Sequence, residues 1–136
     1  DKNVALNTTA IAGVHVSKVQ DCFDYLSEMP EDYYDLIVLD PPAFAKHARA
    51  VANASMGYKQ INLKAFRKIK PGGIVFTFSC SQNISKELFQ KIVFGAAADA
   101  RRNVRIIHQL HQPADHPVNI YHPEGEYLKG LILWVE

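Results

Sequence analysis

The sequence contains few cysteines, no long apolar run and almost no net charge. Its two cysteines, Cys22 and Cys80, are far apart, which argues against a disulfide framework or a clustered zinc module and favours a reducing cytoplasm. No apolar run approaches the roughly 18–20 residues of a membrane span, and residues 1–7 lack the basic and apolar regions of a secretory signal. The formal net charge of +1 does not by itself indicate a nucleic-acid binder. We therefore expect a cytoplasmic protein that binds no membrane.

The remaining composition is that of a globular domain in which strands and helices alternate. Apolar residues make up 48% of the 136 residues and charged residues 21%, which suits one domain with a buried core. In chain order, the patterns predict a strand over 13–19, a helix over 23–29, a strand over 36–39, a loop or lid over 43–54, a helix from Tyr58 to the stop at Pro71-Gly72-Gly73, a strand over 74–78, a helix that begins after Ser85, a strand over 104–110, a loop over 112–126 and a strand over 128–135. The run at 36–39 is apolar throughout, which is typical of a strand buried on both faces of a sheet. This order predicts an α/β layered domain.

Two of the predicted strands end in groups that can carry out chemistry. The strand at 36–39 leads into Asp40-Pro41-Pro42, and the strand at 74–78 leads into Ser79-Cys80-Ser81. In an open α/β sheet, ligands bind just beyond the carboxyl ends of the strands. A carboxylate fixed before two prolines can bind an amino group of a cofactor or a base, although the same tripeptide also ends strands without a function. A thiol ahead of a helix favours the thiolate, which attacks carbon, although a lone cysteine is most often a small core residue.

The order of short motifs along the chain resembles one known family. These motifs are Asp21-Cys22-Phe23, Asp40-Pro41-Pro42, Gly57-Tyr58-Lys59-Gln60-Ile61-Asn62, Pro71-Gly72-Gly73, Thr77-Phe78-Ser79-Cys80-Ser81, Asp115-His116-Pro117-Val118, Pro123-Glu124-Gly125 and Tyr127-Leu128-Lys129-Gly130. They look like the C-terminal part of bacterial large-subunit rRNA (cytosine-5)-methyltransferases, a class I S-adenosylmethionine-dependent family. The resemblance implies a Rossmann-like class I methyltransferase fold of the α/β class. It also implies that residues 1–136 are the C-terminal portion of a catalytic domain, with the first strands and the glycine-rich loop absent from this chain.

The same resemblance implies a cofactor, a substrate and a mechanism. S-adenosylmethionine would donate a methyl group to C5 of a cytosine in rRNA, and the target base would have to leave its stack to reach the site. Cys80 would attack C6 of that cytosine, and Asp40 would hydrogen-bond the edge of the base at N3 and N4. The residues implied to bind the cofactor are Asp21, Cys22, Asp40 and Pro41, and those implied to bind the substrate are Pro42, Phe44 and Lys46.

Two positions allow a second interpretation. From the residues alone, Asp21 is also suited to cap the helix that follows it, and it could do both. The family pattern has a basic residue after the two prolines, where this chain has Ala43. Lys46 nearby could take the place of that basic residue.

The residues also leave two other functions open. Asp40-Pro41-Pro42 followed by the aromatic Phe44 resembles enzymes that methylate ring or exocyclic nitrogens of purines and need no thiol. A non-catalytic RNA-binding module is the alternative from another class. The four histidines between residues 108 and 122 do not indicate a metal site, because prolines and strand alternation separate them. We expect the chain by itself to bind S-adenosylmethionine weakly or not at all, to be inactive, and to expose a sheet edge that permits self-association.

Overall fold

A computed structural model describes residues 2–7, 13–45 and 47–136 of the chain. The elements, in chain order, are helix α1 (Lys2–Ala5), helix α2 (Cys22–Glu28), strand β1 (Leu36–Leu39), a 3-10 turn (Ala48–Ala50), helix α3 (Val51–Lys68), strand β2 (Gly73–Ser79), helix α4 (Lys86–Ala100), strand β3 (Val104–Leu110), a second 3-10 turn (Pro123–Gly125) and strand β4 (Lys129–Val135). Within these described ranges, no helix is both long and apolar enough to cross a bilayer. The observed alternation of strands and helices confirms the predicted α/β class.

The four strands form one sheet in the order β1-β2-β4-β3. β1 and β2 are parallel, with Leu39 beside Thr77, and β4 runs antiparallel to both of its neighbours. β1, β2 and β3 therefore point in the same direction, and their carboxyl ends lie at one edge of the sheet. We call this edge the carboxyl edge. Because β4 is antiparallel, its first residue, Lys129, also lies there and pairs with Ser79.

One face of the sheet packs against α3 and α4 and forms the core. The register places Ile37, Val75 and Leu133 side by side, and each is at most 9% exposed. The helix side chains that complete this core include Tyr58, Ile61, Phe66, Phe89, Ile92 and Val93. The other face of β1 is uncovered, with Leu36 and Val38 52% and 56% exposed. The prediction that this strand is buried on both faces is therefore wrong, because none of the described residues shields these two side chains.

Side-chain caps set the beginnings of α2 and α4. Asp21 Oδ1 accepts a hydrogen bond from the Phe23 N–H at 2.8 Å, and Ser85 Oγ accepts one from the Leu88 N–H at 3.1 Å. Each cap satisfies a backbone donor that the first helical turn leaves unpaired. Both agree with the sequence prediction.

α3 begins earlier than predicted. It starts at Val51, inside the segment predicted as a loop or lid, so that prediction is wrong for residues 51–54. Alanine is the strongest helix former, and Ala54 lies one turn before Tyr58 on a shared buried face, where they are 3% and 0% exposed. The helix ends at Lys68, and Gly72, at φ +82°, turns the chain into β2.

Residues 13–19 do not form the predicted strand. Their alternating valines are almost fully solvated: Val14, Val16 and Val19 are 95%, 68% and 108% exposed. A strand depends on hydrogen bonds from a neighbour, and no described strand pairs with this segment. Alternation of side chains was therefore an insufficient signal here.

Candidate active site

The two predicted chemical groups lie at adjacent positions on the carboxyl edge. Asp40 directly follows β1, and Cys80 directly follows β2, its parallel neighbour. The Asp40 side chain is exposed, and Cys80 is half-buried as a free thiol. Cys80 is therefore not among the fully buried residues of the apolar core.

Ser81 ties the loop after β1 to the loop after β2. Its side chain is 1% exposed, and its Oγ accepts a hydrogen bond from the Ala45 N–H at 3.2 Å. Asn83 adds a second link, because its Nδ2 donates to the Ala45 carbonyl at 3.4 Å. The hydroxyl of Tyr58, a buried residue of α3, lies 2.9 Å from Ser81 Oγ. The loop that contains Asp40 is thus held against the loop that contains Cys80.

Lys129 is a buried lysine beneath the turn that follows Cys80. It is 7% exposed, and its Nζ donates to the carbonyls of Ser81 at 2.7 Å and Ile84 at 2.5 Å. Burial lowers the pKa of Lys129, the Coulombic interaction with Cys80 acts against that shift, and the charge of Lys86 adds to it. Sequence reasoning assigned Lys129 no role of its own. The signal was available, because it is the single charge at the start of an otherwise apolar closing strand.

The predicted cofactor residues lie at the start of α2 and in the loop after β1. Asp21 is confirmed as the cap, through bonds from Phe23 N–H and Asp24 N–H to its Oδ1 at 2.8 and 3.2 Å. A carboxylate has about four lone-pair sites, so the cap leaves Oδ2 able to accept from another group. Cys22 is exposed, and Pro41 is buried.

A cavity of about 750 Å³ lies beside α2. Its lining includes Cys22, Tyr25 and Tyr34, together with part of the 13–20 segment. The hydroxyls of Tyr25 and Tyr34 lie 2.5 Å apart, and this hydrogen bond, with some burial, raises the pKa of Tyr34 to about 12. Neither Asp40 nor Cys80 lines this cavity. The cavity therefore adjoins the predicted cofactor residue Cys22 but not the predicted catalytic pair.

The predicted substrate residues have different surroundings. Pro42 is exposed, whereas Phe44 is half-buried, with its ring centroid 4.7 Å from that of Tyr58 and 6.4 Å from that of Phe23. A Cβ atom at Gly57 would lie 3.1 Å from the Phe44 ring, so the glycine permits this close packing. Lys46 lies outside the described residues. No three histidine, cysteine, aspartate or glutamate side chains of the described segments form a group that could hold a metal ion.

Comparison with known proteins places these observations in a family context. No family model matches the chain. It is 47% identical over 133 residues to a protein named ribosomal RNA large subunit methyltransferase I from Tolumonas auensis. It is 43% identical over 137 residues to the protein of the same name from Aeromonas hydrophila. These matches cover 96% of this chain but 33% and 34% of the relatives, so the chain spans about a third of their length.

The fold also matches solved structures. One, assigned as a methyltransferase and crystallised in complex with SAH, matches 85% of this chain and 30% of its own with a TM-score of 0.68. The two sequences are 22% identical, so this likeness establishes the fold alone. The chain therefore has part of the Rossmann-like class I methyltransferase fold, as its motifs predict.

Proposed function

We propose that this chain is the part of an S-adenosylmethionine-dependent RNA methyltransferase that carries the nucleophile and the base-binding acid. Its substrate would be a cytosine of large-subunit rRNA, methylated at C5. The similarity to proteins named large subunit methyltransferases supports the substrate class. The observation that carries the proposal is the position of the half-buried Cys80: a hydrogen bond to Ser81 holds the loop that contains Asp40 against the loop that contains Cys80.

The proposed reaction begins at Cys80. Its thiolate forms an Sγ–C6 bond with the cytosine, and the electrons of the C5=C6 double bond become available at C5. Asp40 hydrogen-bonds the base at N3 and N4, which holds the ring and favours the adduct. After C5 has gained the methyl group, a base removes the C5 proton. The C5=C6 double bond then re-forms, and Cys80 leaves as thiolate.

The residues at the start of α2 fit an adenosyl cofactor. Asp21 is exposed, and its Oδ2 is not used by the helix cap, so it can accept from the exocyclic amine of an adenine. The backbone of the exposed Cys22 would lie beside the same ring. Asp40 and Pro41 would lie between the cofactor and the substrate base. S-adenosylmethionine, when bound, would supply the methyl group.

Loss of the thiol tests the proposed function. In the full-length natural protein, Cys80→Ala should reduce methyl transfer to large-subunit rRNA by at least about 10³-fold, because the covalent route is removed. Methylation at the full rate in this variant would overturn the cytosine proposal and support methylation of a purine nitrogen. Failure of the full-length protein to bind S-adenosylmethionine by calorimetric titration would instead support a non-catalytic RNA-binding module.

A further inference from the structure

Lys129 combines burial with an absence of described acidic partners. Lysine is almost never fully buried unless it is paired, and this one is 7% exposed. Its described hydrogen-bond acceptors are two neutral carbonyls, those of Ser81 and Ile84. An unneutralised ammonium in this position is unfavourable for folding. A methionine or leucine would fill the site without that cost, which points to a contribution from the charge itself.

We infer that Lys129 is a positioning residue for Cys80: its ammonium fixes the turn that presents the sulfur and stabilises the thiolate. This inference rests on the proposed function, in which the Cys80 thiolate is the nucleophile. It concerns a residue of this chain that neither the sequence motifs nor the comparisons assign to the site.

Lys129 contacts the residues on both sides of Cys80. The backbone of Lys129 pairs with Ser79, the last residue of β2, and its side chain binds the carbonyl of Ser81. The Ser81 carbonyl also accepts from the Ile84 N–H at 3.1 Å, which closes the turn. Cys80 lies between these two residues, so its position depends on both contacts of Lys129.

The ammonium of Lys129 lies close to Cys80 along the chain, because it binds the carbonyl of the next residue, Ser81. Lys129 and Cys80 interact electrostatically, and a cation beside a thiol favours the thiolate. The other charged side chain that affects Lys129 is Lys86, which is exposed and forms an ion pair with Glu126.

The rate at which Cys80 is alkylated measures the effect of Lys129 on the thiolate, and this measurement does not require catalysis. The full-length natural protein and its Lys129→Gln and Lys129→Met variants would be treated with iodoacetamide from pH 6 to pH 10. Peptide mapping would follow Cys80 and, as an internal reference, the exposed Cys22. Glutamine keeps a donor for the turn but loses the charge, whereas methionine loses both. The matched control is Lys86→Gln, which removes a neighbouring lysine charge that does not bind the turn.

The inference predicts that Lys129→Gln slows alkylation of Cys80 about tenfold at pH 7. The alkylation profile of Cys80 should move to higher pH, with Cys22 unchanged and Lys86→Gln within about twofold of wild type at Cys80. Lys129→Met should slow it at least as much.

Unchanged alkylation of Cys80 in a folded Lys129→Gln protein would overturn the inference. If both Lys129 variants unfold, the wild-type protein decides, because the alkylation profile of Cys80 must then lie at lower pH in the folded protein than in the same protein unfolded in urea. These outcomes are distinct from failure of the proposed function. A Cys80→Ala variant that methylates at the full rate overturns that function whatever the alkylation profile shows.

Discussion

Replacement of Ser81 by alanine should destabilise the protein out of proportion to the single oxygen atom that it removes. In the wild type, Ser81 Oγ accepts from the Ala45 N–H and bonds the Tyr58 hydroxyl, and both serine and tyrosine are at most 1% exposed. The variant leaves two buried polar groups, the Ala45 N–H and the Tyr58 hydroxyl, without the serine oxygen as a partner. Each such loss costs about 1–3 kcal/mol, so we expect a decrease of about 2–6 kcal/mol in the free energy of unfolding. That is a large part of a typical total of about 5–15 kcal/mol.

A double-mutant cycle in urea isolates this network. Tyr58→Phe alone should cost about 1 kcal/mol, because Ser81 still accepts from Ala45. In the Tyr58→Phe background, Ser81→Ala should cost about 1–2 kcal/mol less than in the wild type, since one orphaned group is already gone. Ser55→Ala is the control: Ser55 Oγ bonds only the Val51 carbonyl within its own helix, so its change should stay within about 0.5 kcal/mol. A Ser81→Ala protein as stable as this control would refute the bridge between the two loops.

Two further predictions concern the start of α2 and the tyrosine pair beside it. Asp21→Ala should lower the free energy of unfolding by about 1 kcal/mol, whereas Asp21→Asn should keep the cap and change it by a few tenths of a kcal/mol. Calorimetry should show weaker S-adenosylmethionine binding for both variants. Tight binding by Asp21→Asn would exclude the carboxylate as the adenine acceptor. Between pH 10 and pH 12, folded Tyr34 keeps a proton that the unfolded chain has lost, so stability must fall as pH rises through this window. Urea titrations at pH 9 and pH 11 should show a smaller fall in Tyr34→Phe than in wild type, and equal falls would contradict the raised pKa.

Much of the fold was predictable from local rules. The caps Asp21 and Ser85 follow from side chains that accept from the first turn of the helix, and the end of β1 follows from the two prolines after Asp40. The beginning of α3 was missed because Ala48–Ala50 and the alanines after it carry little apolar periodicity. Helix propensity, rather than periodicity, was the usable signal there.

The other failures share a different physical cause, which is dependence on distant partners. The 13–19 segment alternates like a strand but has no paired neighbour, and β1 is apolar on a face that no described residue covers. Likewise, the carboxyl edge was predictable from topology, whereas the Ser81 bridge and the buried amine of Lys129 depend on sheet register. Ser79 meets Lys129 only because β4 inserts between β2 and β3.

The most direct test of the central claim uses large-subunit rRNA that contains 5-fluorocytosine. Fluorine at C5 cannot leave as a proton does, so an adduct formed during methyl transfer persists. With S-adenosylmethionine present, the full-length natural protein should form a complex that survives denaturation and maps to the Cys80 peptide, and Cys80→Ala should form none. A protein that methylates the unmodified RNA but forms no such complex, or a complex that maps to Cys22, would contradict the account.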